Sequence, residues 1–156
     1  MSRSVHKDGC IPRFRLYSDR STHPRLWLVA WVAWTLVILS AASLPLSNYV
    51  GHAHWGKIVW VPFRDRSLPS FWWDTGANVV LYAPFGFLGA RCQVRKSTMA
   101  ILAVIGVAAL LSATGEFFQI YCHNRFPTAT DVSTNTLGAA LGALLNRIYP
   151  ISRPHS

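Results

Sequence analysis

The chain has 156 residues, of which 51% are apolar and only 13% charged, and it carries a net charge of +9. A soluble domain carries roughly 25% charged residues; this chain has too few to cover its own surface, so the composition points to a membrane protein of one domain. The basic residues sit in the gaps between apolar runs and not on one face, which argues against a nucleic-acid platform and for membrane topology.

Residues 1–25 hold Arg3, Lys7, Arg13, Arg15, Arg20 and Arg25, with Pro12 and Pro24 breaking any helix. They read as a basic cytoplasmic tail. No apolar core of a secretory signal lies here, so the first apolar run is expected to act as an uncleaved anchor. That run, about 26–46, is "LWLVAWVAWTLVILSAASLPL", 21 residues without a charge. A bilayer core needs about 20 helical residues, and Pro45 marks the exit. A loop follows over 47–73, with aromatics, His52 and His54. A short second span at about 75–91 is expected to kink at Pro84, which membrane helices tolerate when neighbours satisfy the freed carbonyl. A third runs over 97–119. The connection "CHNRFPTAT" is too short for helices three and four to be anything but antiparallel neighbours. The fourth span is 131–148, and 150–156 is a short C-terminal tail.

The expected fold class is therefore all-α, a polytopic membrane protein with a bundle of four transmembrane helices. Four spans put both termini on one side. Eleven of the 15 Lys and Arg fall on that side, so the positive-inside rule assigns both termini to the cytoplasm. The 47–73 loop and the 120–130 connection then face outward.

Positions three and four apart share a helix face. Asn78, Tyr82, Gly86 and Gly89 form one stripe, Ser112, Glu116 and Gln119 a second, and Asp131, Asn135, Gly138 and Gly142 a third. Each is polar toward the outer end and small toward the middle. Gly138 and Gly142, spaced as GxxxG, would let another helix backbone approach closely, and Gly86 belongs to the same packing set. The polar ends would then converge near the outer surface, with Arg125 bending back to Glu116 or Asp131. Each item also has a plain reading: Glu116 exposed among headgroups, Asp131 a favourable charge at a helix start, Asn78 an interhelical hydrogen bond. His52 and His54, with Cys122 and His123 on the other loop, do not fix a coordination sphere, so no metal and no cofactor is expected. No G-x-S-x-G motif supports a serine hydrolase.

The stretches "NVVLYAPFGFLGA" and "GEFFQIYCHNRFPTATDVSTNTLGAALG" resemble the VanZ-like family of small bacterial membrane proteins. The resemblance rests on Asn78, Pro84 and Gly86, then on Glu116 and Gln119, then on Arg125, Asp131, Asn135, Thr136, Gly138 and Ala139. It makes residues 26–149 a VanZ-like transmembrane domain. It implies an inner-membrane location and an envelope context, since the family's named member is associated with resistance to the lipoglycopeptide teicoplanin and relatives with envelope polysaccharide systems. No settled activity comes with it.

Two functions fit these residues, beside a purely structural reading in which the cluster only holds the bundle together. In the first, the outward cluster of Asn78, Tyr82, Glu116, Gln119, Arg125, Asp131 and Asn135 binds a lipid-linked or amphiphilic envelope component, with Arg125 meeting an anion. In the second, the protein is an enzyme on a lipid-linked glycan or phosphate, with Glu116 as general base and Asp131 as second carboxylate. The expected partners are membrane lipids and a lipid-linked cell-wall or polysaccharide precursor, with no nucleic acid; the oligomeric state is left open.

Overall fold

The computed structural model describes residues 24–44, 46–64, 69–93 and 97–149. Residues 1–23 of the expected tail, Pro45 and the C-terminal segment 150–156 lie outside the described residues. The described chain forms four helices: α1 (Pro24–Ser43), α2 (Pro69–Cys92), α3 (Thr98–Gln119) and α4 (Ala129–Ile148). Two short 3-10 turns, Leu46–Asn48 and Trp55–Lys57, break the α1–α2 connection. Among the described residues there are no strands, only the isolated bridges Tyr49–Cys122 and Val59–Thr128.

The helix ends follow local chemistry. α1 stops at Ser43, short of the expected 46, because the residue before a proline is pushed out of the helical region and Leu44 precedes Pro45. α2 begins at Pro69, six residues before the expected start. Proline suits a first helical position, where its missing N–H is not needed, and a reading that followed only the uncharged run stopped at Asp74. The Ser97 side chain accepts a hydrogen bond from the Ala100 amide and caps α3, and Thr128 caps α4 in the same way through the Asp131 amide.

Two segments, Arg25–Asn48 and Thr98–Gln119, are long and apolar enough to cross a membrane. Neither is the core helix of a soluble fold, because most of each stays exposed on the monomer. Leu28, Val32 and Leu36 on α1 and Leu102 and Leu110 on α3 all point outward, an apolar surface that water would not leave uncovered. α2 and α4 do not pass the same test. Their sequences spend positions on glycine, alanine and polar groups that face one another instead of on large apolar side chains.

α2 touches the other three helices, and its largest interface is with α4. The two run parallel. Asn78 Nδ2 donates to Asp131 Oδ1 at 2.7 Å near their starts, and Arg91 Nη1 to Asn146 Oδ1 at 3.4 Å near their ends. Between these points the backbones touch. A Cβ on Gly138 would sit 2.5 Å from the Val79 carbonyl oxygen, and Cβ atoms on Gly86 and Gly142 would overlap the carbonyls of Ala139 and Ala83. Around this seam Ile38, Tyr82, Phe85, Val104, Ala108 and Ala139 form the buried core, flanked by Trp31 and Trp34. Pro84 removes the N–H that would bond the Val80 carbonyl. A neighbouring helix does reach this turn, but at the adjacent group: Trp34 Nε1 donates to the Leu81 carbonyl at 2.9 Å.

The seam gives a direct contrast. Gly142→Ala is expected to force the α2 and α4 backbones apart and to lower stability by about 1–3 kcal/mol, the usual range for overpacking. Gly106→Ala, with open space around its Cβ, is expected to be neutral or to add about 0.5–1 kcal/mol through helix propensity. Thermal unfolding of the two purified variants, monitored by size-exclusion chromatography, checks the order; equal midpoints would refute a backbone contact at Gly142.

Candidate functional site

α1 and α3 end, and α2 and α4 begin, at one end of the bundle. There residues 46–64 fold back over the connection between α3 and α4. Val50 N donates to the Tyr121 carbonyl at 3.0 Å, His54 N to Ile120 at 2.9 Å, and His123 N to Asn48 at 2.8 Å. Further along, Val59 N donates to the Pro127 carbonyl at 2.9 Å and Ala129 N returns to the Val59 carbonyl at 3.0 Å. That pair of bonds makes the parallel bridge between Val59 and Thr128.

The bridged segments separate two cavities. One, of about 400 Å³, is walled by Trp55, Ile58, Trp60, Phe117, Ile120 and Val132, with Glu116 and Ser133 at its lining. The other, of about 560 Å³, is walled by Asp74, Asn78, Gln119, Asn124, Arg125 and Asp131. Thr128 lines both. Extended chain sends successive side chains to opposite sides; Ile58 and Trp60 therefore line the apolar cavity and Val59 the polar one.

Hydrogen bonds fix the partition. Thr128 N donates to Glu116 Oε2 at 2.7 Å, and the Thr128 hydroxyl accepts from the Asp131 amide at 3.0 Å. Asp131 in turn accepts from Asn78. The half-buried Glu116 thus holds the turn that starts α4, while Asn78 meets the Asp131 carboxylate. Deeper in the bundle, Asn135 Nδ2 donates to the Ser112 hydroxyl at 2.8 Å, while Asn135 Oδ1 is buried without a partner. The buried Tyr82 ring lies beside Ser112.

The expected cluster is therefore divided. Asn78, Gln119, Arg125 and Asp131 line the polar cavity, Glu116 lines the apolar one, and Tyr82 and Asn135 pack between helices and line neither. Arg125 does not bend back to Glu116 or Asp131 as expected. Its Nη2 donates to the Leu44 carbonyl at 3.3 Å, because the last carbonyls of α1 have no helical partner and reach the same rim. Glu116 lines the apolar cavity and Asp131 the polar one, on either side of Thr128. The sequence reading passed over Asp74 and Thr128. Asp74 lies four residues before Asn78, on its stripe, and "TATD" is a helix-start pattern with threonine three residues ahead of an acidic residue; both signals were present.

The loop histidines come together. The rings of His52 and His54 lie 4.6 Å apart and those of His54 and His123 5.9 Å apart, while Lys57 Nζ donates to the His123 carbonyl at 2.6 Å. Among the described residues no group of three His, Cys, Asp or Glu side chains is arranged to hold a metal ion. Desolvation, then the charges of Lys57, His52 and His123, lower the His54 pKa from its usual value. A neutral His54 thus favours the docked loop. Docking is complete above the ordinary histidine pKa and weakens as pH falls through the lowered one. Hydrogen exchange at the His54 amide, corrected for intrinsic rate, is expected to quicken between about pH 7.5 and about pH 5, and His54→Asn to remove that dependence. Unchanged protection in the parent protein would contradict it.

No curated protein and no solved structure matches the chain. A family model described as VanZ/LLP1 matches residues 26–150. The match covers α2, α3, α4 and all but the first two residues of α1, with both cavities and the glycine seam, and the apolar exposed faces of α1 and α3 suit lipid. The chain is a membrane protein and belongs to the VanZ/LLP1 family.

Proposed function

We propose that the protein binds an amphiphilic, lipid-linked component of the bacterial envelope, its polar head in one cavity and its apolar chain in the other. The observation that carries this reading is the pairing of the two cavities across Thr128. Ligand sites of a few hundred cubic ångströms with apolar walls and a few placed polar groups are the usual form; here the apolar and polar parts are on separate sides of one backbone segment. Trp55 and Trp60, at the cavity and near the helix ends, fit the level where aromatic rings meet headgroups.

The same reading assigns four crossings of the inner membrane, with both termini cytoplasmic and the cavities at the outer surface. α2 has 24 residues and at 1.5 Å per residue is about 36 Å long, enough for a hydrocarbon core of about 30 Å. The tails 1–25 and 150–156 flank a single transmembrane domain, 26–149. Family membership supports an envelope setting, where a cell-wall or polysaccharide precursor on a lipid carrier, or a lipoglycopeptide such as teicoplanin, has the required head and tail. Catalysis has less support, since its two candidate carboxylates line different cavities.

Filling the apolar cavity tests the proposal. Ser133 is exposed at its lining, so Ser133→Trp would block the cavity without burying a new polar group in the core. Parent and variant would be extracted in native membrane discs and their co-purified lipid measured by mass spectrometry. The expected result is loss of most of the specifically retained amphiphile at unchanged protein level, a drop of about tenfold for about 1.4 kcal/mol of lost contact. Equal retention would refute the reading. Turnover of a lipid-linked substrate that disappears in Glu116→Gln would favour the enzyme instead.

A further inference from the structure

We infer that the headgroup taken by the polar cavity is a zwitterion that pairs an ammonium with a phosphate, as in ethanolamine phospholipids; this rests on the amphiphile reading above. The cavity contains two carboxylates, Asp74 and Asp131, and one guanidinium, Arg125. Asp74 and Asp131 share that lining, and the Arg125 charge acts on Asp131 as well. The hydrogen bond given to Asp131 comes from the neutral amide of Asn78, at 2.7 Å, and Arg125 is turned to the Leu44 carbonyl at 3.3 Å. Neither contact cancels the negative charge, so with both carboxylates ionised the lining has an excess of one.

Such a lining repels a purely anionic head. It attracts a cation, since an opposite charge set beside a carboxylate favours its ionised form. An alkylammonium also supplies N–H donors for the acceptors that the carboxylates and the Gln119 amide present. A lone amine would meet the Arg125 charge on the same lining. A headgroup with a phosphate beside its ammonium satisfies both: the guanidinium fork takes phosphate oxygens, and the ammonium lies at the acidic wall. The apolar cavity across Thr128 takes the start of an acyl chain. Asp74 is exposed at the cavity and makes no side-chain hydrogen bond among the described residues, which frees it to meet a ligand.

The test places the full chain in nanodiscs of equimolar ethanolamine and glycerol phospholipids with the same acyl chains. Lipid retained on the released protein is counted by native mass spectrometry. The ethanolamine lipid is expected at about a fivefold excess, the scale of one partly exposed charge pair. Asp74→Asn, a nearly isosteric change at an exposed position, is expected to bring the ratio toward one without altering thermal stability. Equal retention of the two lipids by the parent, or an unchanged ratio in Asp74→Asn, would overturn the headgroup assignment while leaving the amphiphile reading intact. Retention of neither lipid above the level of Ser133→Trp would overturn both.

Discussion

One carboxylate–amide contact joins α3 to the start of α4 at the end of the bundle that carries both cavities. Glu116 Oε2 accepts the Thr128 N–H at 2.7 Å. It ties the last turn of α3 to the residue that caps α4, and Thr128 is also the residue bridged to Val59. That contact is the hydrogen bond from the wall between the two cavities to a side chain of α3. An ionisable side chain beside lipid is costly unless it has a partner; this one has a backbone partner in the turn that it organises. Its position is accounted for by the turn that it holds, and the two carboxylates of the polar cavity are Asp74 and Asp131.

A second constraint operates from the middle of the bundle. Gly86, Gly138 and Gly142 bring the backbones of α2 and α4 together, and two helices held so closely cannot slide along each other. This sets the height at which Asn78 meets Asp131. Without a hydrophobic force between helices in lipid, close packing and hydrogen bonds do this work. The seam explains why α2 and α4 are rich in small and polar residues: they cover one another, while α1 and α3 present Leu and Val outward. Loop docking then closes the site from above. Phe63 adopts a left-handed φ of 59°, unusual for a bulky residue, and its amide is held by the Thr130 hydroxyl at 2.9 Å. Strain of this kind persists only where surrounding contacts over-determine it.

Much of this was legible in the residues. Periodicity alone places Asn78, Glu116 and Asp131 at one end of the bundle and the glycines at its centre, because a helix repeats its faces every three to four residues. What periodicity does not carry is how an irregular segment runs. The strip at residues 58–60 has no helical pattern, and its alternation between two cavities exists only once it pairs with Thr128. For the same reason the sequence joined Glu116 and Asp131 into one cluster; they share a level along the bundle but face different sides of a backbone wall. Charge alone points Arg125 to a carboxylate, whereas in the fold it donates to the Leu44 carbonyl, which has no helical partner.

The most direct test of the central claim is to map where a bound chain lies. A phospholipid with a photoactivatable group near the start of its acyl chain would be incorporated with the protein, activated, and its adducts located by peptide mass spectrometry. The account predicts adducts concentrated on residues 55–60 and 127–133. Labelling spread along the outward Leu and Val of α1 and α3, with none on those two segments, would show that lipid merely surrounds the bundle and that the paired cavities hold no amphiphile.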